Sequence, residues 1–199
     1  MHARTAALAT FAALATTLTA CSEPAQGSAE RATAAVSSPA SSSPASDASA
    51  EDAGEQPDTE LAVGDTFVYT DGLKAKVDSI RTITKWGEYD TKPDADMIPF
   101  RVTYTITNGT KKAYDLDGFG YNAEGATTGG QTEFLYVEAD SKQAAGRLAA
   151  GRSATFTAEY SIAKSDGREV LFTMSRTDSA WLESGSVLGD DPNWTGTIK

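Results

Sequence analysis

Cysteine and histidine are almost missing from this chain: its 199 residues include one of each, Cys21 and His2. That scarcity excludes a Ser-His-Asp or Cys-His catalytic set, a zinc held by imidazoles and thiolates, an internal disulfide and a His-ligated haem. Positive charge is also short, with 17 Lys and Arg against 28 Asp and Glu and a formal net charge of −11. A phosphate-backbone binder needs clustered cations that release counterions, so nucleic acid is not an expected partner. No Gly-x-Ser-x-Gly elbow and no Gly-x-x-x-x-Gly-Lys-Ser/Thr loop occurs. No cofactor is expected.

The N-terminus reads as a processing signal over 1–20. Met1-His2-Ala3-Arg4 supplies a positive end, and 6–18 is an apolar run interrupted only by threonines. That run is shorter than the roughly 20 residues a membrane span requires, but it suits a secretory signal. Leu18-Thr19-Ala20-Cys21 resembles a lipobox, in which small residues precede a cysteine that is acylated and becomes the new N-terminus. Cys21 is then a lipid anchor on the extracytoplasmic face of the cell membrane. Burial contributes about 0.8 kcal/mol per CH₂, and two acyl chains hold where one does not.

Residues 21–60 are expected to form a disordered linker. Of the 39 residues at 22–60, 10 are Ala, 9 Ser and 4 Pro, none is aromatic, and Val36 is the one branched aliphatic. Such a segment buries too little apolar area to offset its ordering entropy. Eight acidic residues against Arg31 make it self-repelling. As a free stalk it would span roughly 35 Å r.m.s. and about 130 Å when extended.

Apart from Phe11, every aromatic side chain lies in 61–199, which is large enough for one hydrophobic core. The hydrophobic period there is two. Phe100, Val102, Tyr104 and Ile106 alternate with Arg101, Thr103, Thr105 and Thr107, the pattern of a strand with one buried and one wet face. The same alternation runs through Phe156, Ala158, Tyr160 and Ile162, and through Val170, Phe172 and Met174. A strand from Leu73 through Val77 to Ile80 and shorter ones over 66–70, 114–121 and 132–137 complete the set. Between them lie Asp71-Gly72, Asn108-Gly109, Gly129-Gly130 and Asp166-Gly167, turn signals that tolerate positive φ. The fold class is therefore all-β, an immunoglobulin-like β-sandwich of about seven antiparallel strands.

Val63-Gly64-Asp65-Thr66-Phe67, Asp71-Gly72-Leu73, the Phe100 strand with its Thr-Ile-Thr-Asn-Gly ending, and Leu148-Ala149-Ala150-Gly151 before Phe156 carry a resemblance. Over 61–176 they resemble the telokin-like, immunoglobulin-like extracellular domain of bacterial lipoproteins. Ala150 stands where that pattern has a proline. The resemblance implies an exported, surface-attached sandwich without an inter-sheet disulfide and with no general activity assigned.

Two segments depart from the pattern. The loop 86–96 holds Trp86, Tyr89, Asp90, Asp94 and Asp96, the candidate binding residues, at a sandwich end where recognition loops sit. The three aspartates offer oxygen ligands for Ca²⁺ but without the spacing of an EF-hand, so no metal site is assigned and a Ca-dependent structural module is an alternative. The tail from Thr177 onward carries Trp181, Leu182, Val187, Leu188 and Trp194, which either fold back onto the sandwich as extra strands or form an exposed binding strip. Asp115 and Asp117, two apart, are the carboxylate pair a hydrolase of envelope material would use. No catalytic residue is assigned. The expectation is a non-catalytic binding or accessory module for an envelope protein or wall glycan.

Overall fold

The computed structural model describes residues 27–32, 59–178 and 191–199. Cys21, the segment 1–20, most of the 21–60 linker, and Trp181, Leu182, Val187 and Leu188 lie outside them. Among the described residues the strands are β1 Gly27–Glu30, β2 Glu60–Ala62, β3 Thr66–Tyr69, β4 Leu73–Thr82, β5 Met97–Asn108 and β6 Tyr114–Asp115. They continue as β7 Phe119–Gly125, β8 Thr132–Phe134, β9 Arg147–Leu148, β10 Ser153–Ala163, β11 Glu169–Arg176 and β12 Asn193–Thr197.

Two sheets face each other: a six-stranded one in the order β1-β3-β4-β5-β10-β8 and a four-stranded one in the order β2-β12-β11-β7, with β6-β9 as a small ribbon. This is an immunoglobulin-like sandwich with more strands than the seven expected, and β12 pairs with β2 in parallel. The alternation of β5 sets the inter-sheet core. Phe100, Val102, Tyr104 and Ile106 are 0–1% exposed, while Arg101, Thr103, Thr105 and Thr107 are turned outward. Phe156 stands opposite Tyr104 across β10, and Phe172 of the second sheet meets the Tyr104 ring at 6.0 Å between centroids.

One register detail departs from simple alternation. Val77 pairs with Tyr104 and Ser79 with Thr103, so Asp78 is the extra residue of a β-bulge. The bulge shifts the phase by one, which is how Ile80 returns to the core. Asp78 is stabilised outside by Thr105 Oγ1, which donates to it at 2.6 Å, and by Lys76 at 3.1 Å.

The tail folds back onto the sandwich where it is described. Trp194 of β12 is fully buried opposite Phe172, and its Nε1 donates to the Asp65 carbonyl at 3.0 Å.

The expectation of a linker without structure over 21–60 fails at Gly27–Glu30. That segment is an edge strand, antiparallel to β3, with Gly27 opposite Tyr69 and Glu30 opposite Thr66. It pairs through its backbone, so it needs no large apolar side chain. Glycine is required at its start: a Cβ on Gly27 would stand 2.3 Å from the Phe67 ring and 2.6 Å from the Val68 carbonyl oxygen. Arg31 and Ala32 then engage Asp65, which accepts from Arg31 Nη1 at 3.2 Å, Ala32 N at 2.7 Å and Ala62 N at 3.0 Å.

Burial alone would raise the Asp65 carboxyl, but the amide hydrogens of Ala32 and Ala62 and the Arg31 guanidinium outweigh it and hold the group below the usual carboxylate range. A carboxylate depressed in the folded state stabilises it above the unfolded pKa of about 4, and that contribution is lost as pH falls through the folded value. Lowering the pH from about 6 to about 2.5 is therefore expected to loosen β1 before the rest of the sandwich. Hydrogen exchange, corrected for intrinsic rates, checks this. Equal loss of protection in β1 and β5 would contradict it.

Candidate functional site

The outer face of β5 and β10 carries a charge that alternation alone would leave in water. Glu159 is 1% exposed and pairs with Arg101 at 2.7 Å. Arg101 Nη2 also donates to the Ala139 carbonyl at 2.6 Å, and Ser141 Oγ donates to Glu159 at 3.2 Å. Segments 84–96 and 135–142 thus meet over this face. Asp90 fastens them together, accepting from Gly87 N at 2.6 Å and from Glu138 N at 2.8 Å. The Glu138 and Gly87 amides hold its carboxyl below the usual range. Lys85 and Asp140 add an exposed pair at 3.2 Å.

Beside this clasp lies a recess of about 330 Å³ formed by Tyr89, Thr91, Lys92 and Pro93 on one side and Glu133, Phe134, Leu135 and Tyr136 on the other. The exposed large hydrophobic side chains of the described residues are Tyr89 at 84%, Phe134 at 48% and Tyr136 at 81%, and all three line it. Phe134 and Tyr136 meet edge to face at 5.3 Å, and Phe134 leans on the buried Tyr160 at 5.5 Å. The same two rings border a second recess of about 290 Å³ with Tyr104, Tyr121, Gln143 and Thr157. The result is a ridge of aromatic faces between two hollows, rimmed by Lys92, Glu133 and Thr91.

Of the residues singled out in the sequence, Tyr89 reaches this cleft and Asp90 builds it. Trp86 is half-buried and does not line the recess. Asp94 and Asp96 are exposed; the Asp94 carbonyl closes a turn by accepting from Met97 N at 3.0 Å, and the Asp96 carbonyl accepts from Lys164 N at 2.8 Å, just beyond β10. Among the described residues no three carboxylates gather as a metal-holding group, and Asp90 is engaged by amides. The three aspartates are thus held in separate local contacts, Asp90 with Gly87 and Glu138, Asp94 with Met97 and Asp96 with Lys164. Asp115 and Asp117 do not share a strand face either, because Asp115 caps a short 3-10 turn over Leu116–Gly118 by accepting from Asp117 N at 3.1 Å. Phe134 and Tyr136 were missed. In Phe134-Leu135-Tyr136-Val137 both alternating sets are apolar, so the pattern names no wet face.

A larger recess of about 640 Å³ lies at the other end of the sandwich, against Tyr114, Arg147 and Arg176. Its buried charge is structural. Arg176, with a side chain 1% exposed, is paired with Asp178 at 2.8 Å and Asp71 at 2.9 Å and lies over the Tyr69 and Tyr114 rings at 4.9 and 5.3 Å. Burial, reinforced by the hydrogen bond to Asp178, pushes the Tyr114 hydroxyl well above its usual pKa. Asn108, fully buried, donates to the Leu148 and Lys112 carbonyls at 2.8 Å each and accepts from Thr110 N at 3.0 Å, which fixes the turn at Asn108-Gly109.

No protein-family model matches the chain, and no curated protein matches it. Among solved structures it is similar to the yjhA protein of Bacillus subtilis, at 15% identity and a TM-score of 0.46, over 70% of this chain and 99% of that one. It is also similar to ycdA of Bacillus subtilis, described as a candidate lipoprotein, at 13% identity and a TM-score of 0.46. That match covers 64% of this chain and 37% of the length of ycdA. An uncharacterised β-sandwich protein of Clostridium difficile matches at 11% identity and a TM-score of 0.38, over 73% of this chain and 97% of that one.

Proposed function

We propose that this chain is an extracytoplasmic lipoprotein, acylated at Cys21, whose telokin-like sandwich holds an envelope glycan against Tyr89, Phe134 and Tyr136 without cleaving it. The observation that carries this reading is the meeting of three exposed aromatic rings, from two separate segments, in one recess. Keeping such rings in water is unfavourable, and exposed apolar patches mark binding surfaces. A pyranose fits the chemistry: its C–H face stacks on an aromatic ring while its hydroxyls meet a polar rim, here Lys92, Glu133 and Thr91.

Tyr89→Ala together with Tyr136→Ala is expected to weaken retention on purified wall polysaccharide by at least about tenfold, or about 1.4 kcal/mol. Because both side chains are more than four-fifths exposed, the melting temperature should stay nearly constant. Unchanged retention would reject the cleft, and release of reducing sugar would replace binding by hydrolysis. Cys21→Ser tests the anchor: the protein should leave the membrane fraction, and persistence there would reject acylation.

A further inference from the structure

The docked strand β1 limits how far the sandwich can stand from its anchor; this inference rests on acylation at Cys21. Six Cα steps separate Cys21 from Gly27, which pairs with Tyr69. At no more than about 3.3–3.6 Å per residue the tether reaches at most about 20 Å, far less than the linker would allow if it were free. The stretch 33–58 adds nothing to that reach, since both its flanks are fixed on the sandwich. Ala32 N donates to Asp65, and the Thr59 carbonyl accepts from Asn193 N at 2.8 Å.

The end of the molecule nearest Gly27 is therefore the end nearest the bilayer. Tyr69 leads into the turn at Gly72, Leu73 pairs with Asn108, and Thr107 pairs with Ser153, so the loops 109–113 and 149–152 share that end. Lys111, Lys112, Arg147 and Arg152 are exposed there. Among the described residues the exposed carboxylates beside these loops are Asp71, Asp115 and Asp117; Asp71 and the half-buried Asp178 are already paired with Arg176 at 2.9 and 2.8 Å. The aromatic cleft lies in the opposite half, where Thr132 pairs with Ile162 and Met97 with Ala163. Along a strand of 12 residues the two ends are about 40 Å apart.

We propose that the loops 109–113 and 149–152, with Arg147, form a bilayer-facing surface that seats the sandwich on anionic lipid headgroups. The cleft is thereby directed away from the membrane. A surface potential of negative sign attracts such cations within a Debye length, and a tether of about 20 Å keeps them close to that range.

Energy transfer tests this on the acylated full chain in vesicles containing about one-third anionic lipid, with acceptor dyes in the headgroups. A donor is attached through Ala150→Cys at the near end or Thr91→Cys at the cleft, Cys21 being blocked by acylation. Transfer should be strong from position 150 and at least several-fold weaker from position 91. Gly27→Val, which drives a side chain into Phe67, should reduce the first signal toward the second; Arg31→Ala is the milder companion. Lys111→Glu with Arg147→Glu, or neutral vesicles, should also lower transfer from position 150. Equal weak transfer from both positions would mean that the linker acts as a stalk, overturning the seat. Transfer indifferent to lipid charge and to charge reversal would overturn the headgroup contact. A chain that stays in the soluble fraction refutes acylation itself and takes this inference with it.

Discussion

Trp194→Ala is expected to destabilise the sandwich by about 3–5 kcal/mol, the range for truncating a large buried aromatic. Trp194 is 0% exposed and lies opposite Phe172 at the centre of the second sheet. Its loss removes more than packing. Nε1 donates to the Asp65 carbonyl, and Leu61 of β2 pairs alongside it, so the residue joins β12, β2 and the turn into β3. Trp194→Phe separates the contributions: it keeps most of the apolar volume and gives up the hydrogen bond, with its smaller net worth of about 0.5–1.5 kcal/mol. Urea denaturation of both variants is the measurement. A cost below about 1 kcal/mol for the alanine variant would mean that β12 does not belong to the core.

The second large effect is expected at Arg101 and Glu159. Removing one partner of a buried pair leaves an uncompensated charge and costs about 3–5 kcal/mol. Arg101→Ala should be the worse of the two truncations, because Glu159 is 1% exposed while the Arg101 side chain keeps 17%. After Glu159→Ala the guanidinium can turn toward water and still donate to the Ala139 carbonyl. The double replacement Arg101→Met with Glu159→Leu should cost clearly less than the two truncations summed, since no charge is stranded. A double-mutant cycle built on Arg101→Met, Glu159→Leu and their combination, with stabilities from urea denaturation, reads the coupling. If the effects simply add, the pair does not interact. Glycan retention should fall with Arg101→Ala as well, because Ala139 adjoins the Glu138 amide that Asp90 holds.

What could be read from the chain follows what each pairing uses. β5 was legible because one apolar phase and one Thr/Arg phase differ in chemistry. The same rule misled at Arg101 and Glu159: their phase is outward, and only the folding of 84–96 and 135–142 over that face buries them. β1 could not be read from Gly27-Ser28-Ala29-Glu30, since it is held by backbone pairing and by the absence of a Cβ against Phe67, neither of which leaves a hydrophobic signal. Tyr89 was found through the loop that carries it. Phe134 and Tyr136 were not, as their neighbours Leu135 and Val137 are equally apolar.

The parallel pairing of β2 with β12 bears on how the chain acquires its fold. Trp194 and the Asp65 carbonyl are 129 residues apart in sequence, and β2 has no other strand partner among the described residues. Contacts of such separation form slowly, because the loop entropy is spent before the pairing compensates it. The second sheet therefore cannot close until Asn193–Thr197 has been synthesised. A chain built this way can pair its six-stranded sheet first, but it completes the core between the sheets only after its last strand has been made.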